Sequence, residues 1–356
     1  MSKSSNCIKV PKKRGEKAIA LANELELIDK SLEIHRDEIN LYIPLVRRPD
    51  QNNLETIRNE VPETESSTGV FAEKRTPAES LIQVLENVLP RYLLASLPQA
   101  LDIIGDIAVI EIPPELKGYE NLIGDTVLKT HRNIRTVLAK AGAISGTYRL
   151  REFTFIAGEH KTQTVHREFG CQYQVDLAKV YFSPRLSHEH QRVASLTQNC
   201  ETVVDLFGGV GPFSVLIAKR NPTVKVYAVD INSDAFELLK VNARLNRVEN
   251  RVFPILGDAR QITATRLKGL ADRVIMNLPE TAIEFVDAAC QAIKSQGGII
   301  HFYAFVRSPD SVQNLKLRFA QAVKSTDRRV EEFLYARSVR ETAPYESQIV
   351  LDAKVA

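Results

Sequence analysis

The chain has 356 residues, 44% of them hydrophobic and 26% charged, with a formal net charge of +3, so it is long enough to bury a large core in two or three domains. No run approaches the roughly 18 apolar residues of a membrane span and the polar N-terminus lacks a signal-peptide core, which points to a soluble, cytoplasmic protein. Its four cysteines, Cys7, Cys171, Cys200 and Cys290, form no CxxC pair and no His/Cys cluster, which argues against a disulfide framework and a structural metal site.

After a short basic tail (Lys9, Lys12, Lys13, Arg14), residues 16–27 place Ala18, Ile19, Ala22, Leu25 and Leu27 near helical spacing, and residues 32–34 and 41–45 read as short strands. This predicts a small α/β module. Residues 47–76 have linker composition, with a helix inside them still compatible, so the module with its linker is taken as residues 1–70. A second region, 71–170, is predicted to hold helices at 78–89, 119–129 and 134–140 and a strand at 107–112 closed by Pro113-Pro114. Residues 148–156 and 161–169 flank the turn signal Ala157-Gly158-Glu159 and predict an antiparallel hairpin. Residues 129–185 carry ten Lys/Arg against four Asp/Glu, plus His131, His160 and His166. That is either a solvated basic face or a surface for nucleic acid.

From residue 171 to 356 strands and helices alternate. The segment VVDLFGGVGPFS, residues 203–214, runs from an apolar strand into a glycine-rich turn and a helix. Backbone N–H groups there can approach a ligand that a side chain at Gly209 or Gly211 would exclude. A second strand ends at Asp230, whose carboxylate can accept from both ribose hydroxyls. A third, at 252–256, leads into Gly257-Asp258-Ala259, and a fourth, at 273–276, into Asn277-Leu278-Pro279. In an open α/β sheet these strand ends line one crevice. A nicotinamide cofactor would not call for Asp258 or the Asn-Leu-Pro turn, and Asn-x-Pro by itself also punctuates ordinary loops. With further strands at 299–305, 331–338 and 348–355, the order of motifs resembles class I S-adenosylmethionine-dependent methyltransferases. That resemblance implies an α/β, Rossmann-like catalytic domain with a seven-stranded mixed sheet, beside an α+β RNA-binding domain and the N-terminal α/β module.

Four segments together sharpen it: YRLRE (148–152), VYFSPRL (180–186), DLFGGVGPF (205–213) and NLP (277–279). In this order they resemble the archaeal and eukaryotic tRNA (guanine-N1)-methyltransferase family acting at position 37, over residues 75–356 and more loosely before them. The resemblance implies tRNA as partner, S-adenosylmethionine as cofactor, and no metal. It places catalysis on Arg149, Glu189, Asn277 and Pro279. Cofactor contacts fall on Tyr181, His190, Phe207, Asp230, Ile231, Asp258, Ala259, Asn277 and Leu278, with Asp205, Gly209 and Gly211 in the glycine-rich turn. At His190 an arginine would be expected. It also implies an N-terminal module that touches the tRNA elbow; a monomer is expected.

The chemistry suits these residue types. Guanine N1 carries a proton about two pKa units above neutrality, so exposing its lone pair costs about 2.7 kcal/mol unless a base removes the proton during attack. Ser187 reads as an N-cap that would place Glu189 in a first helical turn, where a carboxylate is favoured in its ionised form. Charge developing on O6 suits a fixed guanidinium such as Arg149, and the Asn277 turn can hold the base edge. Tyr181 or Phe182 can stack on a base or equally belong to the core. Three other readings stay open: a wyosine-pathway enzyme that methylates a tricyclic guanine derivative at carbon, an aminocarboxypropyl transferase, and a noncatalytic RNA-binding protein on the same scaffold. Pyrimidine carbon methylation would need a cysteine nucleophile at a motif turn, and none of the four lies there.

Overall fold

The computed structural model describes residues 2–73, 81–86, 88–98, 100–142 and 146–356. The chain divides into two compact units, 1–79 and 80–356. In the first, Ser2–Pro11 is a strand rather than a basic tail, because Cys7, Ile8 and Val10 turn into the core. It pairs antiparallel with Asn40–Leu45 on one side and Glu65–Ala72 on the other, within a four-stranded sheet. The polar stretch read as linker is largely structured. Asp50 caps the helix Gln51–Glu60 by accepting from Asn53 N–H at 2.8 Å. Ile57 of that helix and Ala18 and Ala22 of Gly15–Glu24 share one core with Ile8, Ile43 and Leu45. Few large apolar residues suffice here because each lies on the single buried face of its element.

The second unit opens with the short helix Leu81–Leu85; residues 78–80 of the helix expected there lie outside the described residues. Asp102–Ile104, Ile107–Ile110, Thr136–Lys140 and Phe153–Gly158 form a four-stranded sheet in that order. Ile107–Ile110 and Thr136–Lys140 are parallel, joined across the helix Glu120–Thr130. Residues 136–140 were expected to be helical; four of the five are buried in a central strand, which suits their apolar run better than a one-sided helix.

The expected hairpin across Gly158 is absent. Phe153–Gly158 pairs with Thr136–Lys140, whereas Gln163–Glu168 pairs with Cys171–Asp176 in a separate two-stranded sheet. The hairpin turn is Phe169-Gly170, both with positive φ (45° and 77°) between the paired Glu168 and Cys171. That is the left-handed pair which a two-residue turn between twisted strands needs.

The largest sheet has seven strands. Thr202–Asp205 is the middle of five parallel strands, flanked by Lys225–Asp230 and then Val252–Leu256 on one side and by Arg273–Met276 and Gly298–Arg307 on the other. Glu346–Val355 and Val330–Ala343 add an antiparallel hairpin at the edge. Val203 and Val204 point into two different cores, one with Phe213 and Leu239, the other with Ala289 and Phe319. Helices therefore cover both faces, as a doubly wound sheet requires. No helix among the described residues is long and apolar enough to cross a membrane.

Candidate cofactor cavity and acceptor site

The parallel strands end around a cavity of about 180 Å³. Tyr181, Phe207, Gly209, Asp230, Ile231, Asp258, Ala259, Asn277 and Leu278 line it, with Arg149 and Pro279. Gly209 has φ +55° and no atom within 4 Å of where a Cβ would stand, so its backbone borders open space. Its N–H donates to Asp230 Oδ2 at 2.7 Å, and Asn232 N–H donates to Oδ1 at 2.8 Å. Burial raises the Asp230 pKa, opposed by these backbone donors. Asp258 caps the helix Ala259–Ile262 through Oδ1. Phe207 stands edge-on to Phe285, ring centres 5.1 Å apart, so an aromatic pair forms one wall. A crevice with a side-chain-free backbone at Gly209, a carboxylate at the second strand end and an aromatic wall fits a nucleoside-bearing cofactor.

Four expected site residues lie off this cavity. Gly211, with φ +90°, would place a Cβ 2.2 Å from Leu239 Cδ1, so it is a packing glycine. Asp205 is fully buried beneath the turn, accepts from Ser214 Oγ at 2.8 Å and has an unpartnered Oδ1. Burial pushes its pKa up to about 7. His190 donates through Nδ1 to Glu168 Oε1 at 2.7 Å and packs edge-on against Phe213. Burial would push the Glu168 carboxyl up, but His166 and His190 outweigh it and hold the pKa at about 2.

Glu189 does not line this cavity either. Its helix, Ser187–Leu196, starts without a side-chain cap, and Ser187 is already helical. The carboxylate is held instead by Arg192, whose Nε and Nη2 donate at 3.0 and 2.9 Å, and by the Tyr303 hydroxyl at 2.8 Å. Arg192 also donates to both oxygens of Asp352. Asp352 accepts from His301 Nδ1 at 2.6 Å, and Arg273 Nη1 stands 2.7 Å from His301 Nε2. An arginine only donates, so Nε2 accepts and His301 is neutral, despite the charge pair that its distance to Asp352 would suggest. Burial lowers the His301 pKa, in agreement. Burial also opposes ionisation of Asp352, and the hydrogen bonds from His301 and Arg192, with the Arg192 charge, overcome it and lower its pKa. Distant strands thus support Glu189 from beneath.

Arg149 has a strained left-handed backbone (φ 56°) and a buried side chain. Its guanidinium lies 5.2 Å from the Tyr181 ring centre, and Nη2 stands 3.3 Å from Glu280 Oε1. Its Nη1 is buried with no hydrogen-bond partner. A second cavity of about 360 Å³ shares Arg149, Val180 and Tyr181 with the first and adds Lys140, Arg151, Phe182, Arg185, Glu280 and Arg340. Arg149 therefore stands where the two spaces meet. In the neighbouring turn, Pro279 C=O accepts from Phe305 N–H at 3.1 Å and Leu278 C=O from Ala282 N–H at 2.8 Å, so these carbonyls hold the turn's shape. Sequence reasoning missed Glu280, Phe285, Arg340 and Gln348. Only Glu280, next to the motif turn, was in reach of it.

Known proteins with this arrangement were compared with the chain. The TRM5/TYW2 methyltransferase domain matches residues 164–333, a TYW2 N-terminal domain residues 81–162 and a tRNA methyltransferase 5 N-terminal domain residues 7–53. The tRNA (guanine(37)-N(1))-methyltransferase Trm5b of Pyrococcus abyssi is 40% identical over 98% of both chains. The tRNA 4-demethylwyosine(37)-methyltransferase Taw21 of Saccharolobus solfataricus is 34% identical over 71% of this chain and 93% of its own. A solved complex of aTrm5 with tRNALeu superimposes with a TM-score of 0.69 at 33% identity, covering 98% of this chain and 99% of that one. Shared sheet, shared domains and identity along nearly the whole chain lead to one conclusion: the chain belongs to the TRM5/TYW2 methyltransferase family.

Proposed function

We propose that this protein transfers a methyl group from S-adenosylmethionine to N1 of guanosine 37 in tRNA. The observation that carries the site assignment is the buried, unpartnered Nη1 of Arg149 where the two cavities meet. A desolvated guanidinium N–H without an acceptor is costly, and a purine O6 that gains negative charge as N1 loses its proton supplies the missing partner. The cofactor's contribution is an electrophilic methyl on a sulfonium. Gly209, Asp230, Asp258 and the Phe207–Phe285 wall would hold it, and Asn277 in its stiff turn would orient the base.

Glu189 is assigned as the general base by its family resemblance. Arg192 and Tyr303 fix the orientation of its carboxylate through three-sided hydrogen bonding. The base has to leave the anticodon stack to enter the second cavity, whose Lys140, Arg151 and Arg185 suit the adjoining phosphates. The N-terminal unit takes the elbow of a complete tRNA, and the protein acts as a monomer in the cytoplasm. Deleting residues 1–73 would then weaken binding of whole tRNA while sparing an anticodon stem-loop; equal losses on both would contradict the assignment.

A second reading, carbon methylation of a tricyclic guanine derivative, draws on the similarity to Taw21. Matching of the N-terminal residues 7–53 and the 98% coverage by Trm5b favour N1 methylation. Methyl transfer from labelled S-adenosylmethionine to transcripts with G or A at position 37, followed by nucleoside analysis, tests it. N1-methylguanosine from the G transcript alone is the expected product; no product from either transcript would overturn the reading.

A further inference from the structure

We propose that Arg340 and Gln348 form a positioning relay that sets which end of the Asn277 amide faces the cofactor cavity. The proposal rests on the reading of Asn277 as part of the reaction site. Arg340 and Gln348 are cross-strand partners in the C-terminal hairpin. Arg340 Nε donates to Gln348 Oε1 at 2.9 Å, and Gln348 Nε2 donates to Asn277 Oδ1 at 3.2 Å. Gln348 is 1% exposed, and both amides border the cavity.

Amide nitrogen and oxygen are nearly the same shape, but arginine decides between them here. A guanidinium has donors only, so the Gln348 oxygen must face Arg340. The Gln348 nitrogen is then turned to Asn277, and it too only donates, so Asn277 Oδ1 must face Gln348. Asn277 is left with Nδ2 and its two N–H groups for the cavity side. The relay thus presents a donor, suited to an acceptor atom of the bound base or cofactor. Arg340 also donates to Ser183 Oγ at 2.8 Å and to the Tyr181 hydroxyl at 3.1 Å. One guanidinium thereby ties the Asn277 turn to the Tyr181 wall, on whose ring Arg149 lies.

Gln348→Glu keeps the shape and the Arg340 contact but presents an oxygen to Asn277, which obliges that amide to reverse. Single-turnover methyl transfer to a G37 transcript at saturating cofactor should slow at least tenfold. In an Asn277→Ala background the same change should alter the rate less than twofold, because no amide remains to be positioned. Gln348→Leu, which removes the donor to Asn277 and leaves the Arg340 contacts with Ser183 and Tyr181 in place, should show the same dependence on Asn277 and serves if the Glu variant does not fold. Equal slowing in both backgrounds would mean a merely structural role and overturn the relay, as would a Gln348→Glu rate within twofold of the parent. If Asn277→Ala itself is as fast as the parent, the reading of the site fails first, and the relay with it.

Discussion

Arg192 holds Glu189 through two nitrogens, at 3.0 and 2.9 Å, one helical turn along the same helix. The same guanidinium neutralises Asp352, so two carboxylates depend on one cation. Arg192→Met should cost about 3–5 kcal/mol, the usual penalty for stranding a buried charge, read by urea unfolding. Glu189→Gln still accepts from Arg192 and should cost far less, while slowing single-turnover methyl transfer by about 100-fold or more if Glu189 is the base. A parent-like rate in the Gln variant would remove that role.

Arg149 is held in place before any substrate arrives, by Tyr181 beneath it and Glu280 beside it. Arg149→Ala should slow methyl transfer by about 100- to 1,000-fold, the loss seen when a fixed donor to developing charge is removed. Arg149→Lys should recover little, since an ammonium lacks the planar fork. Calorimetry of cofactor binding should show a much smaller change than the rate. Comparable losses in affinity and rate would make Arg149 a binding residue instead.

Gly209 and Gly211 separate two jobs of one motif. Gly211→Ala drives a Cβ to 2.2 Å from Leu239 at a φ of +90° and should cost several kcal/mol, read as a lower thermal midpoint. Gly209→Ala meets no atom and should cost only about 1–2 kcal/mol for its left-handed backbone. Its methyl borders the cavity, so cofactor affinity should fall at least tenfold. Unchanged affinity would move the cofactor away from this turn.

Asp205 makes stability depend on pH. Its pKa is raised by burial from 3.8 to about 7, so between those values the folded chain keeps a proton that the unfolded chain releases. Its contribution is complete below the unfolded value and is lost as pH rises through about 7, at most about 4 kcal/mol. Asp205→Asn mimics the protonated group and should flatten the loss of stability between pH 5 and pH 8, measured by denaturant titration. An unaltered slope would place the proton elsewhere.

Much of the site was legible because strand ends in a parallel sheet must converge. Once Asp205, Asp230, Leu256 and Met276 are read as the last residues of neighbouring strands, the turns after them share a crevice. Local conformation was harder where two solutions are close in energy. Residues 136–140 form an apolar run that suits either helix or strand, and its place between two other strands decided it. The Gly158 signal concealed the real hairpin, since Phe169-Gly170 places a bulky aromatic at positive φ, which composition does not anticipate. The polar stretch after Arg47 folds because its few apolar residues, such as Ile57, share a face.

Periodicity and strand-end chemistry are properties of neighbouring residues, so the sequence alone determined the class of sheet and the convergence of its strand ends on one crevice. Which residues touch across long separations depends on register. Arg192 finds Asp352, 160 positions away, and Gln348 finds Asn277, 71 positions away, only because antiparallel pairing brings the last hairpin beside the parallel strands. Pairing register is a collective outcome of packing, and no local pattern around Gln348 or Arg340 encodes it.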